Sequence, residues 1–252
     1  MTRIIMHGCN GRMGQMITGI VNEDSEAEIV AGIDVVDNIE TNKYPVFTDI
    51  DACDTEADVV IDFSSSKAVD KLMDYCEKRN LPLVLCSTGL SEEQLTRVKS
   101  DSSKYAILKS ANMSLGINTL LKALKEVAKT LVPAGFDIEI VEQHHHNKLD
   151  APSGTALALA DSINEEFDNS FEYVYDRSQV RKKRDTNEIG ISAVRGGSIV
   201  GDHQVIFAGL DEVVTIQHTA YSRAIFAKGA VAAAKFLNGK KNGLYDMSDV
   251  IG

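Results

Sequence analysis

The sequence RIIMHGCNGRMG at positions 3–14 joins a short apolar run to three glycines spaced three residues apart. The apolar run predicts a β-strand over Arg3–His7, and the apolar spacing from Met13 to Asn22 predicts an α-helix. Glycines at such a junction allow a positive φ in the tight turn and let the helix approach the strand closely. A strand, a glycine turn and a helix in this order indicate the first unit of an α/β fold.

The alternation of strand and helix patterns continues as far as Asn112. Short apolar runs predict four further strands, over Ala27–Ile33, Asp58–Asp62, Leu83–Cys86 and Tyr105–Leu108. Amphipathic segments between them predict helices over Lys67–Lys78 and Glu92–Lys99, the second with Ser91 as its N-cap. This alternation is typical of a parallel sheet that is covered by helices.

The pattern changes after Asn112. Three helices are predicted in the rest of the chain, over Ile117–Leu131, Ser153–Glu166 and Arg223–Leu237. Four strands are predicted, over Asp137–Glu142, Ile189–Arg195, His203–Ala208 and Glu212–Gln217. Short turns containing glycine separate the last three strands, which is typical of an antiparallel meander. We therefore predict two domains of different class, an α/β domain and an α+β domain.

The composition is that of an acidic globular protein. The chain has 252 residues, and its 26 Lys and Arg against 37 Asp and Glu give a formal net charge of −11. This charge argues against non-specific binding of nucleic acid and against docking on an anionic membrane. No segment reaches the ~20 apolar residues of a membrane span, and we expect no secretory leader. The 4 cysteines form no CxxC pair, so we expect free thiols in the cytoplasm.

The glycine turn is suited to binding a dinucleotide. Backbone amides after Gly8, Gly11 and Gly14 would hold a pyrophosphate at the start of the helix. Asp34 ends the second predicted strand 20 residues after Gly14, where a carboxylate accepts hydrogen bonds from an adenine-ribose diol. The spacing is GxxGxxG rather than GxGxxG, so the alternative is a glycine turn without a ligand. The flanking strand and helix, together with Asp34, favour the dinucleotide.

Three residues bear on the choice between NADH and NADPH. The carboxylate of Asp34 would repel a ribose 2′-phosphate, whereas the guanidinium of Arg12 could bind one. Val35 follows Asp34 and adds no positive charge. We expect NADH to be preferred and NADPH to be tolerated.

The densest polar segment is EQHHHNKLDAPSGT, residues 142–155. Continuation of the preceding strand would put His144 and His146 on one face and His145 on the other. Imidazoles are suited to proton transfer near neutral pH, and the ammonium of Lys148 is suited to an anion. The segment therefore predicts proton transfer on a substrate that carries a carboxylate.

The helix after this segment adds to the prediction. Ser153 or Asp150 would cap it, and Gly154 and Thr155 would present backbone amides to an anion. A zinc site is one alternative, but it needs three or four ligands and no cysteine lies nearby, so no metal is predicted. A serine hydrolase would need the G-x-S-x-G elbow that the sequence around Ser153 lacks. A solvated polar loop is the third alternative.

On these residues the chain resembles the dihydrodipicolinate reductases, also called 4-hydroxy-tetrahydrodipicolinate reductases, of the diaminopimelate route to lysine. Residues Glu142–Ala156 match their pattern E-x-H-H-x-x-K-x-D-A-P-S-G-T-A without a gap. The glycine turn and the segments after three later strands are also similar. The resemblance, together with Asp34, implies a cofactor site formed by Gly8, Cys9, Asn10, Gly11, Arg12, Met13, Gly14, Asp34, Phe63, Ser64, Cys86, Ser87, Thr88, Gly89, Ser110, Ala111, Asn112 and Met113.

The resemblance also implies an architecture and a set of roles. It implies a Rossmann-like dinucleotide-binding domain, residues 1–112 and 223–252, and an α+β domain, residues 113–222, whose open mixed sheet binds substrate and builds a homotetramer. His144 is implied to be the proton donor and Lys148 the second catalytic group. The residues implied to hold a carboxylate of the dicarboxylate substrate are His145, Lys148, Ser153, Gly154 and Thr155.

The implied reaction is the NAD(P)H-dependent reduction of 4-hydroxy-tetrahydrodipicolinate to tetrahydrodipicolinate. Hydride reaches C4 of the ring, and the resulting enamine is protonated at the neighbouring carbon. Arg195 and Arg223 are candidates for binding the second carboxylate. Cys86–Ser87, Met113 and Val35 depart from the usual family pattern, and Val35 is the departure that favours NADH. Two alternatives remain, another two-domain NAD(P)-dependent dehydrogenase such as one acting on aspartate, and a non-catalytic dinucleotide sensor.

Overall fold

A computed structural model describes residues 1–37 and 42–252. The chain divides into two compact units, one formed by Met1–Leu115 with Ala224–Gly252 and the other by Gly116–Arg223. The described part contains twelve β-strands: β1 Thr2–His7, β2 Ala27–Ile33, β3 Val46–Phe47, β4 Val59–Asp62, β5 Leu83–Leu85, β6 Ala106–Leu108, β7 Asp137–His144, β8 Glu172–Val174, β9 Glu188–Arg195, β10 Gly201–Ala208, β11 Val213–Ala220 and β12 Gly243–Tyr245.

The same part of the chain contains seven α-helices: α1 Arg12–Asn22, α2 Val69–Arg79, α3 Glu92–Asp101, α4 Leu115–Leu131, α5 Gly154–Asn164, α6 Ala224–Leu237 and α7 Met247–Ile251. Short 3₁₀ helices cover Ile50–Ala52, Ser66–Ala68 and Glu165–Phe167. None of the helices in the described residues is long and apolar enough to cross a membrane.

The first unit contains a seven-stranded sheet with the order β12-β6-β5-β4-β1-β2-β3. All of its pairings are parallel. The strand order runs outward in both directions from β1. Since β2 and β4 both pair with β1, the carboxyl end of β1 is the switch point, where sheets of this type bind ligands.

Side chains that alternate along β1 supply the cores on the two faces of this sheet. Ile4 and Met6 pack in a cluster with residues of α1 and α6, whereas Ile5 packs in a second cluster with residues of α2 and α3. The alanines of α6 are largely buried in the first cluster, so they serve the core. Gly229 on α6 is required by close packing, because a Cβ atom there would lie 1.7 Å from the Met113 carbonyl oxygen.

The second unit contains a five-stranded sheet with the order β11-β10-β7-β9-β8. β7 pairs antiparallel with β10 and parallel with β9, so the sheet is mixed. Apolar side chains of α4 and α5 cover one face. The α/β fold with a parallel sheet and a second, mixed sheet confirms the predicted fold class.

The predicted meander is wrong in one respect. β10 and β11 form the expected antiparallel pair, but β9 does not pair with β10 because β7 lies between them. β7 is buried at every second residue and binds both neighbours along its length, so it occupies the centre of the sheet. The glycine turn after β9 therefore connects two strands that are separated by a third.

Candidate active site

The glycine turn in the first unit is packed tightly against itself. Gly8 has a φ of +83°, and a Cβ atom there would lie 2.6 Å from the Phe63 carbonyl oxygen. A Cβ atom at Gly14 would lie 2.2 Å from the Gly8 carbonyl oxygen. The Gly8 N–H donates to the Ile33 carbonyl at 2.7 Å, which ties the turn to β2. Both glycines are therefore required by the folding of the turn.

The N-terminus of α1 is arranged to receive an anion. Gly11 is its N-cap, and no side chain caps the helix there. Backbone N–H groups in the first turn of a helix have no partner within the helix, and the helix dipole favours negative charge beside them. The donors present therefore fit the pyrophosphate of a dinucleotide.

Asp34 supports the glycine turn from the end of β2. Its Oδ2 accepts the Asn10 N–H at 2.9 Å, and its Oδ1 accepts the Val36 N–H at 3.3 Å. The Asn10 side chain donates to the carbonyls of Val36 and Asp37. Asp34 is half-buried and Val35 is 91% exposed. The carboxylate therefore lies beside the turn, and the residue after it adds no charge.

A buried carboxylate organises the ends of β1 and β4. Asp62 is fully buried, and its Oδ1 accepts hydrogen bonds from His7 Nδ1 at 2.8 Å and from Ser64 Oγ at 2.6 Å. Burial alone would raise the pKa of Asp62, but the hydrogen bonds from His7 and Ser64 outweigh it, so the pKa is lowered. Asp62 therefore fixes the segment Phe63–Ser64 at the switch point.

The other candidate cofactor residues lie in two segments after β5 and β6. Gly89 has a φ of +70°, and a Cβ atom there would meet no atom within 4 Å. Burial raises the pKa of the Cys86 thiol well above its usual range, so Cys86 remains protonated. Met113 and Cys9 are buried in the core of the first unit, so their side chains serve packing. Thr88 is exposed, Ser87 is buried, and Ser110 to Asn112 are half-buried or exposed.

The second unit has a buried hydrogen-bond cluster around Glu142, at the end of β7. Glu142 is fully buried. Its Oε2 accepts hydrogen bonds from His144 Nδ1 at 2.6 Å and from Arg195 at 2.8 Å. Its Oε1 accepts from Arg195 at 2.6 Å and from the Ser153 N–H at 3.0 Å. Burial alone would raise the pKa of Glu142, but the hydrogen bonds from Arg195 and His144 lower it, so the carboxylate is ionised.

His144 is oriented by this carboxylate. Because Glu142 is ionised and binds Nδ1, the proton of neutral His144 lies on Nδ1 and Nε2 is left as the second reactive nitrogen. A Cβ atom at Gly201 would lie 3.2 Å from Nε2, so glycine at this position leaves that nitrogen uncrowded. Burial lowers the pKa of His144, and the hydrogen bond to Glu142 opposes this effect only in part.

The backbone leaves the strand directly after His144. The N–H of His145 donates to the Ile199 carbonyl and the N–H of His146 donates to the Gly197 carbonyl. The prediction that His144 and His146 share a strand face is therefore wrong, because β7 ends at His144 and strand alternation no longer applies. His145 Nδ1 is buried and has no hydrogen-bond partner within the described residues. Lys148 forms an ion pair with Asp150 at 2.9 Å.

The start of α5 completes the cluster. Ser153 is its N-cap, and Ser153 Oγ accepts the Ala156 N–H at 3.2 Å. The same oxygen lies 3.0 Å from His203 Nε2. His203 is buried, and burial lowers its pKa to about 4, so its imidazole is neutral at pH 7. The first-turn residues Gly154 and Thr155 lie beside this cap, in the place where helix amides face an anion.

Two family models together match almost the whole chain. The family model described as dihydrodipicolinate reductase, N-terminus, matches residues 2–113, and the model for the C-terminus matches residues 116–251. A 4-hydroxy-tetrahydrodipicolinate reductase of Caldanaerobacter subterraneus subsp. tengcongensis is 53% identical over 251 residues, which cover 100% of this chain and 98% of the relative. The chain belongs to the dihydrodipicolinate reductase family. This finding confirms the resemblance based on Glu142–Ala156.

Two further relatives of the dihydrodipicolinate reductase family are similar along their whole length. A 4-hydroxy-tetrahydrodipicolinate reductase of Clostridium novyi is 49% identical and aligns over 100% of this chain and 98% of its own. The solved structure of a dipicolinate-bound dihydrodipicolinate reductase from Paenisporosarcina sp. TG-14 is 25% identical, with a TM-score of 0.81 and 99% of each chain covered. The family resemblance therefore extends from sequence to fold.

Four buried polar residues, two in each unit, were not assigned roles from the sequence. Glu142 and His203 lie among the alternate residues of β7 and β10 that are buried. A polar residue at a strand position where an apolar one is expected was the sequence signal that could have identified them. His7 and Asp62 show the same signal at the ends of β1 and β4. Arg195 is engaged by Glu142 and by the Asp150 carbonyl, and is therefore committed to the protein's own acceptors.

Candidate metal ligands were sought among the side chains that the structure describes. Within residues 1–37 and 42–252, no three His, Cys, Asp or Glu side chains lie close enough together to hold a metal ion. The basic run Arg181–Arg184 is partly paired, since Arg184 contacts Asp137 and Glu139 and Lys182 contacts Asp185. Asp137 and Glu139 lie on β7, so Arg184 ties the run to the start of that strand.

Proposed function

We propose that this protein is an NAD(P)H-dependent 4-hydroxy-tetrahydrodipicolinate reductase of the diaminopimelate and lysine pathway. The observation that carries the proposal is the cluster in which Glu142 holds both His144 and the cap of α5. It combines a proton donor with an anion site, which the reduction of a dicarboxylate ring requires. The alternative of an aspartate-dehydrogenase-like enzyme does not account for this cluster.

The cofactor-binding residues are proposed as the segments around the carboxyl ends of β1, β2, β4, β5 and β6. When bound, the reduced nicotinamide supplies the hydride. The amides after Gly11 hold the pyrophosphate, and Asp34 accepts hydrogen bonds from the adenine ribose. Phe63 and Ser64, held by Asp62, line the switch point.

Proton transfer is proposed at Nε2 of His144. The imidazolium form carries protons on both nitrogens, and Glu142 accepts the one on Nδ1. The Nε2 proton is then given to the ring carbon next to the one reduced. Lys148 is proposed as the second catalytic group, since its ammonium stabilises negative charge on the substrate.

A substrate carboxylate is proposed to bind at the start of α5. Its partners are the Ser153 hydroxyl, the amides of Gly154 and Thr155, and the side chains of His145 and Lys148. The unpartnered Nδ1 of His145 supports its part in this site. Arg223 is exposed and is proposed for the second carboxylate, since Arg195 is occupied by Glu142.

NADH is proposed as the preferred cofactor, with NADPH accepted. The reason is electrostatic, because the half-buried Asp34 would repel a 2′-phosphate and Val35 offers no compensating charge. The test is kcat/KM for each cofactor at saturating substrate. A value for NADPH equal to or above that for NADH rejects the preference.

The two domains are proposed to divide these tasks, with residues 1–112 and 223–252 binding the dinucleotide and residues 113–222 binding substrate. The compact units, which divide near residues 115 and 223, support this division.

A homotetramer is proposed to form through the face of the mixed sheet turned away from α4 and α5. Val141 and Ile206 on that face are half-exposed and Val213 is 61% exposed, which supports burial by a second copy. The free cysteines support a cytoplasmic location.

The test of the function is an assay of NADH absorbance with freshly condensed pyruvate and aspartate semialdehyde. We expect substrate-dependent oxidation of NADH by the folded protein. Absence of turnover would reject the reductase. Tight NADH binding without turnover of any dicarboxylate would instead support the sensor, and a rise in Tm with pyridine-2,6-dicarboxylate in the presence of NADH would support the substrate site.

A further inference from the structure

Arg195 lies beside His144 in the parallel pairing of β7 with β9. Both side chains bind the same oxygen of Glu142, His144 at 2.6 Å and Arg195 at 2.8 Å. The second nitrogen of Arg195 binds the other oxygen at 2.6 Å and also donates to the Asp150 carbonyl at 2.7 Å. One guanidinium therefore holds the carboxylate and the loop that carries Lys148.

We propose that Arg195 is a positioning residue for the proton transfer, which shares the Glu142 carboxylate with His144 and so limits the negative charge that the imidazole experiences. The proposal rests on the proposed role of His144. The same contact fixes the orientation in which Glu142 also accepts the Ser153 N–H. Arg195 thus links the proton donor to the start of the anion site.

The charge sharing has a chemical purpose. A buried carboxylate that served His144 alone would stabilise the imidazolium strongly and make it a poor donor, because a proton donor works best with a pKa near the working pH. Arg195 neutralises part of that charge. The other groups that act on His144 are Lys148, which is paired with Asp150 on the loop, and His203 on β10, whose ring centroid lies 5.1 Å away.

None of these other groups can replace Arg195 in this role. His203 is neutral at pH 7 because burial lowers its pKa to about 4. His218 lies on β11, opposite His203 in the pairing of β10 with β11. Lys148 is paired with Asp150, so their charges oppose each other. Arg195 is therefore the cation in direct contact with the carboxylate that orients His144.

The test follows the protonation of His144 directly. The 6 histidines are labelled at ¹³Cε1, the His144 signal is assigned with His144→Asn, and its chemical shift is titrated in Arg195→Gln, Arg195→Lys and Glu142→Gln. We expect Arg195→Gln to raise the titration midpoint by about 0.5 to 1 pH unit and Glu142→Gln to lower it by a similar amount. Arg195→Lys should fall between Arg195→Gln and the parent protein, since lysine keeps the charge but not the two-pronged contact.

The kcat profile gives the matching functional result. In Arg195→Gln the high-pH limb of the kcat profile should move to higher pH. The value of kcat should fall about tenfold, while the KM for NADH is unchanged. Arg184→Gln is the matched control, because Arg184 pairs with Asp137 and Glu139 at the other end of β7 and should leave the His144 midpoint unchanged.

The proposal is overturned if Arg195→Gln and Glu142→Gln move the midpoint in the same direction, or if neither moves it. If Arg195→Gln does not fold, Arg195→Lys is compared with Glu142→Gln instead. The proposal then requires that Arg195→Lys raises the His144 midpoint and that Glu142→Gln lowers it. The midpoints are measured without substrate. The titration can therefore be interpreted even if the reductase assay shows no turnover. In the same way, unchanged midpoints would not alter the result of the reductase assay.

Discussion

The side chain of His144, the proposed proton donor, is held in one orientation by its neighbours. One ring nitrogen is fixed by Glu142, and the other faces the space that Gly201 leaves open. A side chain held in this way loses little conformational freedom when it reacts, which lowers the entropic part of the barrier. Lys148 differs, because it is paired with Asp150 on a loop and, in its proposed role, would exchange this partner for substrate.

Replacement of these two residues should therefore have different effects. His144→Ala is expected to lower kcat by about 10² to 10³-fold with the Kd for NADH nearly unchanged, because general acid catalysis contributes about that much. Lys148→Ala should lower kcat and raise the KM for the dicarboxylate together. Steady-state kinetics and NADH fluorescence titration measure both effects. Near-parental kcat in His144→Ala would disprove the assignment of the proton donor.

His203 gives a prediction about stability against pH. Its pKa is lowered to about 4 in the folded protein, against 6.5 in the unfolded chain. As the pH falls below 6.5, the unfolded chain takes up a proton that the folded protein does not, so the free energy of unfolding decreases. Between pH 7 and pH 5 this group should remove roughly 2 kcal/mol.

The measurement is urea unfolding of the parent, His203→Gln and His146→Gln at both pH values. His203→Gln should lose less stability than the parent on acidification, by that amount. The exposed His146 is the matched control, and its variant should follow the parent. Equal losses in all three proteins would contradict the prediction.

At the scale of elements, local patterns predicted most helices and the strands that have a clear apolar pattern. The helix over Ser153–Glu166 is α5 with Ser153 as its N-cap, and Ser91 caps α3 as predicted. The strands β3, β8 and β12 were not predicted because none of their residues is buried, whereas the three residues of β5 and of β6 are all buried and apolar. The position of β7 between β9 and β10 was missed because strand pairing depends on distant residues rather than on the turns.

The same distinction applies to the candidate site. The polar segment after β7 could be predicted from its residue types, because histidine, lysine and a helix cap are adjacent in sequence. Glu142 and Arg195 could not be paired from the sequence, since 53 residues separate them. Their contact depends on the parallel register of β7 with β9.

The first helix offers a matched pair of glycines. Gly14→Ala should destabilise the protein by about 2 kcal/mol or more and weaken NADH binding, because its Cβ would lie 2.2 Å from the Gly8 carbonyl oxygen. Gly19 lies in the same helix, is exposed, and has no atom within 4 Å of its Cβ position. Gly19→Ala should raise stability by up to about 1 kcal/mol. Thermal unfolding and NADH titration compare them, and equal effects would contradict the packing argument.

At the scale of the whole molecule, the proposed tetramer can be tested by mass. Four chains of 27.4 kDa give a particle of about 110 kDa. Light scattering coupled to size-exclusion chromatography should measure this mass. Ile206→Lys, on the open face of the mixed sheet, should shift this mass towards smaller species. Leu210, which is 98% exposed in the turn after β10, is the control, and Leu210→Lys should leave the mass unchanged. A monomeric parent protein would reject the tetramer.

The path of the chain has a consequence for its synthesis. Helix α6 and strand β12, which complete the seven-stranded sheet and its core, follow the second unit in the chain and leave the ribosome after it. The second unit, Gly116–Arg223, is continuous and is finished earlier. Domains generally fold as units during synthesis. The second unit is therefore expected to fold first, while the core of β1 to β6 still lacks the residues of α6. Nascent chains stalled before Ala224 should therefore expose Ile4 and Met6 to chaperones, and release of the full chain should bury them.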